Sequence, residues 1–359
     1  MIVFGLCLIA AYALLLAIVL FGWFRIVKPQ EKESKTFVSI IVPVRNEEKT
    51  IGTTLLSIAQ SNYPAHQREI IVVNDHSTDS TESVLNSLDL DIVRVNLTGD
   101  EQGKKTALTK GIEIAKGQLI VCTDGDTIVP ENWISEHVNS FETGNQLSFG
   151  EVGYLKKNLG HEMLETELTA LVAVGAATSG FGKPSMINGC NYSFSKEAFE
   201  TIGGFAGNEQ VPTGDDEFLL RKISKTFPGK VEFVKTKVQT EPVQSWDEFI
   251  NQRRRWASKW KLHNDWTSRL LPGLVFLFYA SLIATISYLI SVQWMTGLIL
   301  VAGKFLVDLV FLFNVSKGLT ARRFLSIGLL QIIYPFYVVF FGLASNFGSY
   351  QWRGRKYRI

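Results

Sequence analysis

Cysteine is scarce, with 3 in 359 residues. Cys7 sits in an apolar run, Cys122 in a strand-like run and Cys190 beside Gly189. No two have the spacing of a zinc site or a disulfide framework, so a stapled fold is excluded and reduced thiols are the simplest state. Charge is absent from Ile2 to Phe24, and the first basic residues, Arg25, Lys28 and Lys32, follow that stretch. A cleaved signal peptide is the competing reading; it expects a basic start, a shorter apolar run and a small-residue cleavage site, whereas here the basic residues follow the run. The uncharged run is long enough to cross the roughly 30 Å hydrocarbon layer as a helix, and it reads as an anchor. Positive and negative charges nearly cancel, 36 against 34 for a formal net +2, and no nucleic-acid partner is expected.

What is present points to one sizeable soluble domain plus membrane segments, since 46% of the residues are hydrophobic and 19% charged. A second apolar region starts after Arg269, runs uncharged to Gly303 and continues past Lys304 and Asp308 to Ser316. One span needs about 20 residues, so a helical hairpin turning near Ser291 to Trp294 is expected. A basic loop with Lys317, Arg322 and Arg323 precedes a third apolar run, Phe324 to Phe347. The expected division is an N-terminal transmembrane helix over 1–27, a soluble domain over 36–266 and a C-terminal membrane region over 270–348, with about four spans in all.

Basic residues favour the cytosolic side, which places the soluble domain in the cytosol. Arg353, Arg355, Lys356 and Arg358 favour that side too, yet four full spans from an external N-terminus would leave them outside. Pro335 could mark a kinked or re-entrant last segment, because re-entrant backbone is tolerated where protein buries it. The topology of that segment stays open at this point. Lys304 and Asp308, four apart, share a helical face and can pair. They are either an intramembrane functional site or an internally neutralised pair.

Between residues 36 and 266 short apolar runs alternate with helical patterns, the mark of a mostly parallel sheet covered by helices. Strands are expected over Phe37–Val44, Glu69–Asn74, Asp91–Asn96 and Gly117–Thr123, with helices over Glu47–Ser61, Ser80–Leu88 and Thr106–Ala115. In such sheets ligands gather beyond the carboxyl ends of the strands. The polar groups there are Arg45 to Glu48, Asp75 to Asp79, and Asp124 to Asp126. Any one of these segments alone reads equally as a turn or helix cap. Their convergence is what suggests chemistry.

Asp124-Gly125-Asp126 offers two carboxylates at a strand end, enough to hold a hard divalent cation whose shell is completed by diphosphate oxygens and water. Gly103-Lys104-Lys105 opens a helix and can set an ammonium beside a phosphate. A turn and a solvated basic loop are the alternatives.

Read in order, VSIIVPVRNEEKTI, VVNDHSTDST, GKKTALTKGI, CTDGDTIVP, GCNYSFSKEAFETIGGF, GDDEFLLRKI and QRRRW resemble the family 2 glycosyltransferases over roughly residues 36 to 260. The last motif and the apolar flanks resemble the membrane-embedded branch that includes cellulose, hyaluronan and chitin synthases and ceramide glucosyltransferases. The resemblance implies a GT-A fold, Rossmann-like and α/β, with a mostly parallel sheet between N- and C-terminal transmembrane helices. It implies that Pro43, Glu47 and Asp75 line a nucleotide pocket and that Lys104 lies near the donor phosphates. Asp124 and Asp126 match the DXD motif that holds Mg2+ or Mn2+ and the diphosphate. Asp216 matches the last residue of the TED motif, the expected general base. Gln252, Arg255 and Trp256 match the QxxRW motif that lies against donor and acceptor.

An acceptor hydroxyl is a poor nucleophile at neutral pH, so a carboxylate must take its proton as the new bond forms. One base and a single displacement invert the anomeric centre, and the family implies inversion as well. The expected activity is that of a hexosyltransferase moving a sugar from a nucleotide diphosphate sugar, expected to be a UDP-sugar, to a lipid or glycan acceptor at the membrane. The expected location is a bacterial inner membrane, in the service of the cell envelope. About four spans leave little material for a polysaccharide channel, which favours single transfer to a lipid; QRRRW is frequent in processive synthases and keeps that alternative open, and an oligomer could build a channel. A catalytically silent binding subunit fits less well, because the metal aspartates and the base are present. The sequence departs from the family pattern at Asn74, His76, Thr109, Gly214 and Asp215. Arg253 and Lys259, outside the matched motif positions, are expected to meet lipid headgroups. Leu159 to Phe181 is expected either as an amphipathic element forming a mouth for lipid or as a core helix.

Overall fold

The computed structural model of the protein describes residues 1–26, 34–155, 158–208, 214–258, 266–316, 318–352 and 354–358. Lys28, Lys32, Lys259, Trp260, Lys317 and Arg353 lie outside the described residues. The chain forms two compact units. One comprises Met1–Phe21, Lys156–Ala173 and Pro242–Ile359, the other Gly22–Leu155 and Val174–Glu241.

The elements run in the order α1 (Ile2–Phe24), β1 (Val38–Val44), α2 (Ile51–Ala59), β2 (Arg68–Asn74), α3 (Thr81–Ser87), β3 (Val93–Asn96), α4 (Lys104–Ile114), β4 (Leu119–Cys122) and β5 (Thr127–Ile128). There follow α5 (Trp133–Glu142), β6 (Leu147–Tyr154), α6 (Leu159–Gly180), β7 (Tyr192–Ser195), α7 (Lys196–Thr201), α8 (Asp215–Thr226) and β8 (Val231–Thr240). Next come α9 (Trp246–Ser258), α10 (Trp266–Val315), α11 (Ala321–Ala344), β9 (Ser349–Trp352) and β10 (Arg355–Arg358).

Among the described residues eight strands make one sheet in the order β3-β2-β1-β4-β7-β6-β8-β5. The left half, β3-β2-β1-β4, is parallel throughout, in register Val44↔Asn74 and Ile41↔Cys122. In the right half β7 runs antiparallel to both neighbours, while β6 and β8 pair in parallel across an irregularity at Gly150/Glu151. The branched residues of β1 are buried on both faces, as a strand between two helical layers requires. Ile40 and Val42 join one core with Ile51, Leu55 and Ile58 of α2 and Trp133, Ile134 and Val138 of α5. Ile41 faces α4, where a methyl group at Gly111 would stand 2.7 Å from its Cγ2. Glycine there lets the helix sit close on the sheet.

The expected strands and helices of the left half are present with shifted ends. The second helix starts at Ile51 rather than Glu47, because Glu47 turns its backbone N–H to the Thr81 hydroxyl at 2.8 Å and its carbonyl caps Thr50 and Ile51.

Among the described residues three helices are long and apolar enough to cross a membrane: Ile2–Phe24, Gly273–Val315 and Ala321–Ala344. The long helix breaks at Gln293, whose φ of −145° and ψ of 68° are not helical. Its halves fold back on each other. A methyl at Gly297 would touch Ile290, a methyl at Gly5 would touch both Leu300 and Thr285, and Lys304 Nζ lies 5.7 Å from the Tyr279 ring. The pairs 290/297, 285/300 and 279/304 define an antiparallel hairpin turning where the sequence places it.

Lys304 and Asp308 do pair, at 2.7 Å, and they have further partners. Gln331 accepts from Lys304 at 3.0 Å and donates to Asp308 at 2.8 Å, while the Tyr12 hydroxyl donates to Asp308 at 2.5 Å. α1, α10 and α11 are thus joined by one neutral polar knot, as burial of ionisable groups demands.

Arg253 differs from expectation. It is 2% exposed, and its Nη2 lies 2.6 Å from Glu167 Oε2 on α6. The cause is a buried carboxylate opposite it, together with aromatic faces: its guanidinium sits 4.4 Å from the Trp256 ring centroid and 5.1 Å from that of Phe249. Burial pushes the Glu167 carboxyl up, opposed by Arg253 and by a bond from Tyr337. A second buried pair on α6 joins Glu162 to Arg323 at 3.1 Å.

Candidate active site

The parallel neighbours β2, β1 and β4 end at Asn74, Val44 and Cys122, so the segments that follow them emerge side by side. Asn46 and His76 both adopt positive φ, 56° and 54°. Short polar side chains tolerate that conformation best, and both sharp turns fall just beyond strand ends.

These turns are laced together. Asp75 N–H donates to Val44 O at 2.8 Å, and Arg45 Nη1 donates to Asp75 O at 2.6 Å. The Asp75 carboxylate, 5% exposed, accepts from Gly103 N–H at 2.9 Å and lies 3.8 Å from Arg45. Asn46 Oδ1 accepts from Thr78 N–H, and Asp79 accepts from Glu48 N–H and from Thr81. Burial would raise the Asp79 carboxyl, but the bonds from Thr81 and Glu48 outweigh it and hold it below its ordinary value. Pro43 is half-buried on β1, opposite Val73.

Asp124 and Asp126 follow β4 on a turn fixed from below. Thr54 donates to Gly125 O at 3.0 Å, and Thr127 donates to Asp124 O at 2.8 Å. A methyl at Gly125 would press on Val44 at 3.0 Å and Glu47 at 3.1 Å, so the turn packs directly on the buried Glu47.

Lys104, the first residue of α4, is the hub. Its Nζ lies 2.5 Å from Asp124 Oδ1, 3.2 Å from Gly189 O and 3.7 Å from Asp215 Oδ2. Burial alone would lower its pKa, yet Asp124 and Asp215 raise it well above the ordinary value. It stays a cation. A methyl at Gly189 would stand 3.2 Å from both Lys104 Nζ and Asp216 Oδ2, which places Asp216 beside this cluster. Asp215 and Asp216 open α8 and are buried, 5% and 6% exposed. Asp216 Oδ1 accepts the Glu217 N–H at 2.9 Å.

The structure therefore brings together Glu47, Lys104, Asp124, Asp126 and Asp216 from four distant segments, with Asp75 on the adjoining turn. Gln252, Arg255 and Trp256 lie on α9, in the other unit. Asp215 and Gly189 are the residues sequence reasoning passes over. Asp215 counts there as a departure from a motif, whereas here it is the second carboxylate facing Lys104; two adjacent acids at a helix start were the signal.

Among the described residues no three His, Cys, Asp or Glu side chains form a metal cluster. The Asp124–Asp126 pair instead fits a cation of the Mg2+ class, which takes one or two carboxylates and completes its shell with substrate phosphates and water. The cysteines bear no such role. All three are free, and burial pushes the Cys122 thiol up to about 12, keeping it a neutral packing group.

Compared with solved structures, the chain shares its fold with a mannosyltransferase of Pyrobaculum calidifontis in complex with GDP-Man and Mn2+ (TM-score 0.54, 18% identity, covering 93% of this chain and 99% of that one). This is the GT-A arrangement. Residues 39–203 match the profile described as glycosyl transferase family 2, and over that stretch the chain is similar to the members of that family. It is similar to a beta-monoglucosyldiacylglycerol synthase of Synechocystis (26% identical over 232 residues, 61% of this chain and 47% of the relative). It is similar over nearly its whole length to a 4,4'-diaponeurosporenoate glycosyltransferase of Staphylococcus aureus (24% identical, 90% of this chain and 88% of the relative). The chain spans about half the length of the Synechocystis relative.

Proposed function

We propose that the protein is an inverting glycosyltransferase that moves one sugar from a nucleotide diphosphate sugar to a lipid acceptor at the membrane. The observation that carries the reading is the single cluster of Lys104, Asp124 and the Asp215–Asp216 pair at the carboxyl edge of the sheet. Lys104 is taken as a fixed cation, Asp124 with Asp126 as the metal position and Asp216 as a separate buried carboxylate.

In this reading Pro43, Glu47 and Asp75 line the nucleotide pocket, and Lys104 holds a phosphate of the donor in place of one of its carboxylate partners. Asp124 and Asp126 hold Mg2+ or Mn2+, which when bound neutralises charge on the departing diphosphate. Asp216 accepts the proton of the acceptor hydroxyl as its oxygen bonds to the anomeric carbon and the carbon–phosphate oxygen bond breaks. The Glu217 N–H holds that carboxylate in place. Gln252, Arg255 and Trp256 contact donor and acceptor. No enzyme nucleophile takes part, so the anomeric centre inverts.

The lipid acceptor is favoured by two relatives whose names carry diacylglycerol and diaponeurosporenoate, one of them aligned over 90% of this chain. α1, the α10 hairpin and α11 supply few helices for a polysaccharide channel. The soluble domain over 36–266 is then the catalytic domain, on the cytosolic side of a bacterial inner membrane, between an anchor over 1–27 and a membrane region over 270–348. The test is transfer from a panel of radiolabelled nucleotide sugars in membranes containing the protein, followed by solvent extraction. Label in the lipid phase supports the reading; insoluble polymer replaces it with a processive synthase.

A further inference from the structure

The first unit decides a question that charge counting leaves open, the side of the membrane on which the chain ends. α10 is a hairpin, and each arm, residues 273–292 and 294–315, is about 30 Å or longer, enough for one crossing. The chain thus leaves from α9 and returns to the side of α9 before α11 begins. If α11 crossed, β9 and β10 would lie on the far side. They do not. Gln351 N–H donates to Asn251 Oδ1 of α9 at 2.8 Å, and Arg254 of α9 donates to Ser349 O at 3.3 Å.

Both ends of α11 meet the same support. In its first turn Arg323 pairs with Glu162 of α6 at 3.1 Å, and Ser326 lies 3.2 Å from Thr166. Near its other end Phe341 packs edge-on against Phe249 of α9 at 5.9 Å. α6 and α9 are themselves locked by Glu167–Arg253. A helix about 36 Å long standing across the bilayer would have its ends a full hydrocarbon thickness apart, out of reach of one such platform.

We propose that α11 does not cross the membrane but lies within the leaflet on the side of α9, and that the β9–β10 hairpin caps α9 on that side. Its outward stripe, Leu325, Ile332, Phe336, Phe340 and Leu343, each more than half exposed, meets the acyl chains of that leaflet. The buried face carries Arg323, Ser326 and Pro335, groups a lipid-facing surface would exclude. Arg355, Lys356 and Arg358 then share the side of the other basic loops, which removes the conflict with the charge rule. The inference rests on contacts within one unit and is independent of the proposed chemistry.

The test uses the full chain with Cys7→Ser, leaving only the buried Cys122 and Cys190, and adds Lys356→Cys or Trp294→Cys. Intact cells and inverted vesicles are treated with a membrane-impermeant maleimide. The proposal expects the two positions to be labelled from opposite faces. Labelling of both from the same face overturns it. A C-terminal fusion of the unmodified chain gives an independent readout: fluorescence of a cytosol-dependent reporter supports the proposal, and activity of a phosphatase that folds only outside contradicts it.

Discussion

Arg253 and Glu167 form an ion pair with almost no access to water, 1% and 9% exposed at the side chain, and Trp256 covers the guanidinium. Removing one member strands the other's charge. Glu167→Ala or Arg253→Ala should each cost about 3–5 kcal/mol, while replacing both with apolar residues of similar volume should cost far less than the sum. Thermal melts in detergent of the two single variants and the double variant measure this. Additive losses would show that the pair is not coupled.

That pair also shows where sequence reading stops. Arg253 sits among basic and aromatic residues next to an apolar segment, a context that ordinarily means the membrane surface, and its partner is 86 residues away in the chain. The strands β1, β2 and β4 were legible because burial on both faces writes continuous runs of branched residues. β6, β7 and β8 were not read from the sequence. Serine and glycine interrupt β6 and β7, and β8 mixes glutamate, lysine, threonine and glutamine with its apolar residues. In the site, the motif positions could be named in advance, but the part of Asp215 and Gly189 could not, since only the fold sets them against Lys104.

Gly189 separates Lys104 from Asp216. A methyl there would stand 3.2 Å from both, closer than ordinary contact, and the backbone needs no left-handed conformation. Gly189→Ala should therefore lower kcat/KM at least about tenfold by displacing the two charged ends, a loss of roughly 1.4 kcal/mol in transition-state stabilisation, with little change in melting temperature. Kinetics and a melt on the same sample check both halves.

His137 is buried between Ser148, 2.7 Å from Nδ1, and Asn191, 3.0 Å from Nε2. Burial lowers its pKa from 6.5 to about 4. The unfolded chain then binds a proton between those values that the folded chain does not, so stability falls as pH drops from 6.5 towards 4. The contribution is about 3 kcal/mol. Denaturation at pH 7 and pH 5 should show a large difference in the wild type and a smaller one in His137→Gln. An equal pH dependence in both would exclude His137 as its source.

Asp124 carries half of the two-carboxylate position and contacts Lys104. Asp124→Ala should weaken nucleotide diphosphate binding chiefly in the presence of Mg2+ or Mn2+, so that binding curves with and without metal draw together. Titration calorimetry with chelator and with each metal reads the difference. A metal response as large as that of the wild type would place the cation elsewhere.

The most direct measurement compares Asp216→Asn with the wild type in the same membranes, following sugar transfer and nucleotide binding in parallel. If Asp216 accepts the acceptor's proton, transfer should fall by about 100-fold to 10,000-fold while nucleotide affinity changes little. Transfer at the wild-type rate would contradict the assignment of the base and, with it, the proposed single-displacement chemistry.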